Sequence, residues 1–150
     1  MRLLVAQENF LVGDIEGNCD KVLNSARQAL EQGADLLLFP ELTLTGYPPE
    51  DLLLRPSLNA RIEEALERLA AELPVPVVLG YPAIRNGHRY NVAALVRPRR
   101  GVDCEYFKQC LPNYRVFDEK RYFRAGTDSA VFELGGVRFG LTICEDIWHP

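Results

Sequence analysis

Apolar residues recur along this chain with two different periods, and the switches between them outline the fold. Leu3-Leu4-Val5-Ala6 is a short apolar run that predicts a strand over Leu3–Gln7. Val22, Leu23, Ala26, Ala29 and Leu30 then fall at steps suited to one face of a helix, predicting a helix over Cys19–Gln32. Asn18 suits its N-cap and Gly33 its C-terminal stop. Asp35–Phe39 has almost no alternation, as expected of a strand covered on both faces, and Pro40 ends it. Gly46, Pro48 and Pro49 make Thr43–Asp51 an irregular but stiff loop. A second helix should start near Pro56, with Leu58, Ile62, Ala65, Leu66, Leu69, Ala70 and Leu73 on its apolar face and Pro74 as its stop. Pro76–Gly80 reads as the third strand. Asn91–Val96 and Asp103–Phe107 flank a Pro98–Gly101 turn, and Val131–Leu134 and Val137–Ile143 flank Gly135-Gly136, so each pair reads as a hairpin.

The order is strand, helix, strand, helix, strand, then several strands. It predicts an α/β fold with a mixed sheet and helices mainly on one face. Strands this apolar need cover on the opposite face as well. No segment of the chain is left over for that role, so either a second copy, making a homo-oligomer, or further sequence is expected to supply it. No internal repeat, low-complexity tract or linker interrupts the 150 residues, a length that suits one domain with a real core.

Composition narrows the function classes. The chain is 47% hydrophobic and 25% charged with a formal net charge of −4, which fits a globular protein and offers no basic face for nucleic acid or an acidic membrane. Arg97, Arg99 and Arg100 are the only basic cluster, and the neighbouring Pro98 and Gly101 make it a solvated turn. No apolar run approaches a bilayer span, and the first residues are too short an apolar stretch for a signal-peptide core, so a cytoplasmic location is the default expectation. Cys19, Cys104, Cys110 and Cys144 form no C-x-x-C pair and are expected as free thiols. His88 and His149, the only histidines, lack ligand spacing to them, so no metal site is expected.

Three strand ends carry chemistry. Leu36-Leu37-Leu38-Phe39-Pro40 leads to a carboxylate, Glu41; Cys104-Glu105-Tyr106-Phe107 leads to an amine, Lys108; Val137–Ile143 leads to a thiol, Cys144, followed by Glu145-Asp146. A strand fixes the backbone of such a residue, and the turn after it exposes the side chain and aims backbone N–H groups at what it attacks. Together they are the equipment of an amide-cleaving thiol enzyme that works without histidine. Each residue also has a plainer reading: a packing cysteine, a loop acid, a surface lysine.

The segments FPELTLTGYPPEDLLLRP (Phe39–Pro56), LPNYRVFDEKRYF (Leu111–Phe123) and LTICEDIWHP (Leu141–Pro150) resemble the nitrilase, or carbon–nitrogen hydrolase, superfamily. Within it they resemble the glutaminase branch that supplies ammonia to glutamine-dependent NAD synthesis. The resemblance spans the whole chain. It implies a nitrilase-like four-layer α-β-β-α sandwich, of which these residues are roughly the first half. It also implies a Glu41–Lys108–Cys144 triad, with glutamine as substrate and a thioester intermediate. Glu119 takes the place of a second glutamate near the lysine, while Tyr47, Tyr114 and Glu145 fall where the branch lines its glutamine pocket. No cofactor is implied for this domain; ATP, Mg and deamido-NAD would belong to a synthetase domain outside the chain. Two alternatives stay open: a non-catalytic piece of such an enzyme, or a stand-alone amidase or carbamoylase of the superfamily.

Overall fold

The computed structural model describes residues 1–149. A five-stranded sheet forms its centre, in the spatial order β1 (Leu3–Val5), β2 (Leu36–Leu38), β3 (Val77–Arg85), β4 (His88–Arg97), β5 (Gly101–Phe107). The first three strands run parallel and the last three form antiparallel pairs. Two helices, α1 (Ile15–Glu31) and α2 (Ser57–Glu72), connect the parallel strands and lie on one face.

The helical periods hold. Ile15, Cys19, Val22, Leu23, Ala26 and Ala29 of α1 and Leu58, Ile62, Ala65 and Leu69 of α2 are buried. They meet the alternate residues Val77, Leu79, Tyr81, Val92, Ala94 and Val96 of the sheet. Leu30 departs from the expected stripe and is 54% exposed. The expected cap also moves: α1 begins one turn earlier, with Asp14 capping through its carboxylate to Gly17 N at 3.0 Å. Asn18 is instead wholly buried inside the helix. It accepts from Leu11 N and donates to the carbonyls of Leu11 and Leu44, tying the segment before α1 to the loop after β2.

Three further expectations change. The strands expected over Pro76–Gly80 and Asn91–Val96 fall toward the open end of one long hairpin, β3–β4, closed at Asn86-Gly87, where both residues have positive φ (51° and 76°). An Asn-Gly pair with that backbone matches the twist of the strands it joins. The last hairpin, β6 (Val131–Leu134) with β7 (Val137–Gly140), stops short of Ile143. It lies over the second face of the sheet, where Phe132 packs with Leu36, Val78 and Leu95. Part of the cover thought to be missing is therefore supplied by the chain itself. The cover is incomplete, since Leu3 and Val5, in register with Leu36 and Leu38, remain 46% and 68% exposed. Finally, the loop after Pro49 contains a 3₁₀ turn, Glu50–Leu54, and a one-turn helix α3 (Glu119–Tyr122) follows Asp118.

Candidate active site

Strand direction brings the site together. β2 is parallel to β3, β3 antiparallel to β4, and β4 antiparallel to β5, so β2 and β5 point the same way. Their carboxyl ends, and hence Glu41 and Lys108, open on the same end of the sheet, the usual place for a site in an open α/β sheet.

Glu41 is held by the turn after β2. Phe39 N donates to Val78 O at 2.9 Å, the Thr43 hydroxyl to Pro40 O at 2.5 Å, and Leu44 N to Gly80 O at 3.1 Å. Gly80 permits this approach: a Cβ there would lie 2.3 Å from Leu42 N and 3.0 Å from Glu41 C. Leu42 completes the turn in the left-handed region, with φ 51°. Lys108 continues β5, its backbone N donating to Asn91 O at 2.9 Å. Glu119 is carried in by α3, whose first backbone N–H donates to Pro112 O at 3.2 Å.

These pieces form a buried charge cluster. The Lys108 ammonium, on a residue only 1% exposed, lies 2.7 Å from Glu41 Oε1 and 3.0 and 2.9 Å from the two oxygens of Glu119. Asn91 Nδ2 donates to Glu41 Oε1 at 2.6 Å. The two carboxylates differ in access: the side chain of Glu119 is 6% exposed and that of Glu41 is 19%. Burial draws the Lys108 pKa down, but the Glu41 charge and hydrogen bonds to both carboxylates outweigh it and leave the pKa raised. Lys108 is thus a fixed cation at neutral pH. Burial raises the pKa of Glu119, with Lys108 opposing and the Glu41 charge adding to the rise.

Cys144 follows Ile143 at the start of a 3₁₀ turn, Cys144–Trp148, with its own φ at 50°. A non-glycine residue held in that region costs about 1–3 kcal/mol. The residue is exposed, and it lines a cavity of about 260 Å³ together with Glu41, Phe39, Gly80, Ala93 and Thr142. Burial pushes its thiol pKa up, the Glu41 charge pushes it further, and Lys108 draws it back.

The pocket residues divide. The Tyr47 hydroxyl reaches Glu119 Oε1 at a long 3.4 Å, and Tyr47 lines a second cavity, of about 210 Å³, with Glu119 and Phe117. Tyr114 and Glu145 pair with each other, hydroxyl to Oε2 at 3.0 Å, beside Cys144 rather than within the lysine cluster. Two participants escaped the sequence reading. Asn91 is one; it sits in an apolar strand, where a lone asparagine with no room for solvent was the available signal. Asp146 is the other, and its carboxylate gathers the turn around Cys144.

The site thus places a buried amine between two carboxylates, beside a cavity shared by one of them and an exposed thiol on a turn with positive φ. Residues 4–150 match the family described as carbon-nitrogen hydrolase, and the chain belongs to it. Its sequence is 45% identical over 148 residues to the glutamine-dependent NAD(+) synthetase of Acinetobacter baylyi, and 44% identical over 153 residues to that of Thermotoga maritima. These alignments take in 98% and 100% of the chain but only 27% and 26% of the relatives, so it spans about a quarter of their length. In three dimensions it superposes on the glutamine-dependent NAD+ synthetase of Acinetobacter baumannii with a TM-score of 0.90 at 45% identity, covering 96% of this chain and 28% of that one. An amidase from Nesterenkonia sp. gives a TM-score of 0.85 at 29% identity, covering 98% of this chain and 56% of that one. The mixed sheet with helices on one face is thus the nitrilase-like α/β fold, seen over part of the domain.

Proposed function

We propose that this chain carries the nucleophile and charge machinery of an enzyme that hydrolyses the side-chain amide of glutamine and releases ammonia. One observation carries the reading: Glu41, bonded to Lys108, opens on the same cavity as Cys144, whereas the more buried Glu119 borders a different cavity. The names of the relatives point to glutamine, and the higher identity to the synthetases than to the amidase favours that substrate over a simple amide.

The roles follow from charge and access. As the Cys144 sulfur attacks the amide carbon, Glu41 takes the thiol proton. The carbonyl oxygen becomes an oxyanion, stabilised by the Lys108 ammonium and a backbone N–H of the turn after Cys144. One such donor is worth about 3 kcal/mol. The C–N bond then breaks as Glu41 returns its proton to the nitrogen, giving ammonia and a thioester. Glu41 next takes a proton from water as its oxygen attacks the thioester, and the thiol leaves protonated with glutamate. Support for a covalent step comes from the Nesterenkonia sp. AN1 amidase, one variant of which shows covalent addition of an acetamide moiety at its active site cysteine. Glu119 holds Lys108 from behind. Glu145, with Tyr114 on its carboxylate, is suited to the substrate α-ammonium. No cofactor is needed for these steps, and none of these residues calls for one. ATP, Mg and deamido-NAD belong to a synthetase portion that consumes the ammonia. In the intact protein, Cys144→Ala should abolish conversion of glutamine to glutamate while added ammonia still supports NAD formation. Retained glutaminase activity in that variant rules the reading out.

A further inference from the structure

We infer that Asp146 is the positioning residue that sets the Cys144 thiol relative to Lys108; this rests on the reading of Cys144 and Lys108 given above. Its carboxylate accepts four hydrogen bonds from two separate parts of the chain. Oδ1 takes Cys110 N at 2.7 Å and Gln109 N at 3.1 Å. Oδ2 takes the Tyr106 hydroxyl at 2.8 Å and Ile143 N at 3.0 Å. In return, Asp146 N donates to Ile143 O at 3.1 Å, which closes the turn that holds Cys144 at φ 50°.

The placement of these donors matters. Gln109 and Cys110 directly follow Lys108, and Tyr106 lies two residues before it, with its ring buried at 4% exposure. Ile143 directly precedes Cys144. One carboxylate therefore clasps the strand end that carries the amine to the turn that carries the thiol. β5 belongs to the five-stranded sheet, whereas the Cys144 turn lies far along the chain, after the β6–β7 hairpin. Backbone N–H groups at strand ends are otherwise unpaired donors, and a carboxylate that collects three of them makes charge-assisted bonds stronger than neutral ones. Tyr106 responds accordingly: burial, then its bond to Asp146, raises its pKa, so it stays a donor across the working pH range. Catalysis in such a site depends on placement, and displacement of a reacting group by about 1 Å costs on the order of a hundredfold in rate.

The test uses the intact protein. Asp146→Asn keeps the shape but turns one of the two accepting oxygens into an amide that faces donors. It should lower kcat for glutamine roughly ten- to a hundredfold, change KM less than about threefold, and leave ammonia-driven synthesis unaltered. Tyr106→Phe, which removes one of the four donors to the carboxylate, should give a smaller fall. In the double variant the two losses should not multiply. Asp146→Glu, which retains both oxygens, should recover part of the rate lost in Asp146→Asn. A kcat for Asp146→Asn within about twofold of the parent overturns the clasp. So does a fall in KM and kcat that tracks only loss of melting temperature. If Asp146→Asn does not fold, Tyr106→Phe decides alone, and an unchanged kcat overturns the proposal. Failure here is separable from failure of the functional reading: an active Cys144→Ala refutes the latter, whereas an inactive Cys144→Ala beside a normal Asp146→Asn refutes the clasp only.

Discussion

Cys144 is a thiol whose environment works against ionisation. Burial and the Glu41 charge raise its pKa, and Lys108 offsets only part of the rise. An attacking sulfur in that setting needs a base at the moment of reaction, the role proposed for Glu41. Alkylation of Cys144 by iodoacetamide, followed by mass spectrometry across pH, should therefore show a midpoint above the ordinary thiol value of about 8.5. Glu41→Gln removes a charge that raises the pKa, so it should move the midpoint down; an upward move would contradict the assignment of that charge. Lys108 governs stability as well. Lys108→Met leaves Glu41 and Glu119 without their shared cation, and breaking a buried pair in this way costs about 3–5 kcal/mol. The sign of the pH dependence follows from Glu119. Its folded pKa is raised above the unfolded value, and loss of Lys108 raises it further. Such a group stabilises below the unfolded pKa, and the contribution is lost as pH rises through the folded one. Urea denaturation should accordingly show a smaller deficit for Lys108→Met at about pH 5 than at about pH 8.

At the scale of elements, the site depends on close backbone approach more than on helix or strand propensity. Gly80 in β3 lies under the Glu41–Leu42 turn, and a methyl group there meets backbone that cannot yield without displacing Glu41. Gly80→Ala should therefore cost both stability, by about 1–3 kcal/mol from overpacking, and activity, whereas Gly87→Ala should cost stability alone. At Gly87 an added Cβ meets nothing, so the penalty is the positive φ, about 1–2 kcal/mol. Equilibrium unfolding and glutaminase assays on the two variants separate these effects. The same elements show what could be read in advance. The parallel strands, both helices and the two hairpin turns at Pro98–Gly101 and Gly135-Gly136 followed from period and turn residues. The β3–β4 hairpin was equally written in Asn86-Gly87, but the polar stretch Arg85–Arg89 hid the strands that continue through it. The helix cap moved from Asn18 to Asp14 because tertiary contacts with Leu11 and Leu44 captured the asparagine side chain.

For the molecule as a whole, the second face of the sheet is the open question of packing. The β6–β7 hairpin covers its middle, but Leu3 and Val5 on the edge strand β1 stay exposed, as do Val131, Val137, Ile147 and Trp148. Exposed apolar side chains beside an unpaired strand edge favour association. The isolated 150-residue chain should self-associate in sedimentation velocity, and Val5→Lys should reduce that association. A monomeric parent chain would mean that the hairpin alone suffices as cover. Among the described residues no helix is long and apolar enough to cross a membrane.

The sequence by itself determined the periods, the turns and the chemical types at three strand ends, because those are written within a few neighbouring residues. The identities of Glu41, Lys108, Glu119 and Cys144 could be proposed from it. Which carboxylate shares a cavity with the thiol could not, nor the pairing with two carboxylates that keeps Lys108 charged despite its burial. Asn91 and Asp146 were equally silent, since each acts on groups far away in the chain: Asn91 on Glu41, Asp146 on Gln109 and Cys110. Only the tertiary structure decided these matters. Hydrogen-bond reach, access to the cavity and desolvation are properties of distance in space, and the parallel and antiparallel order of β2 to β5 sets those distances.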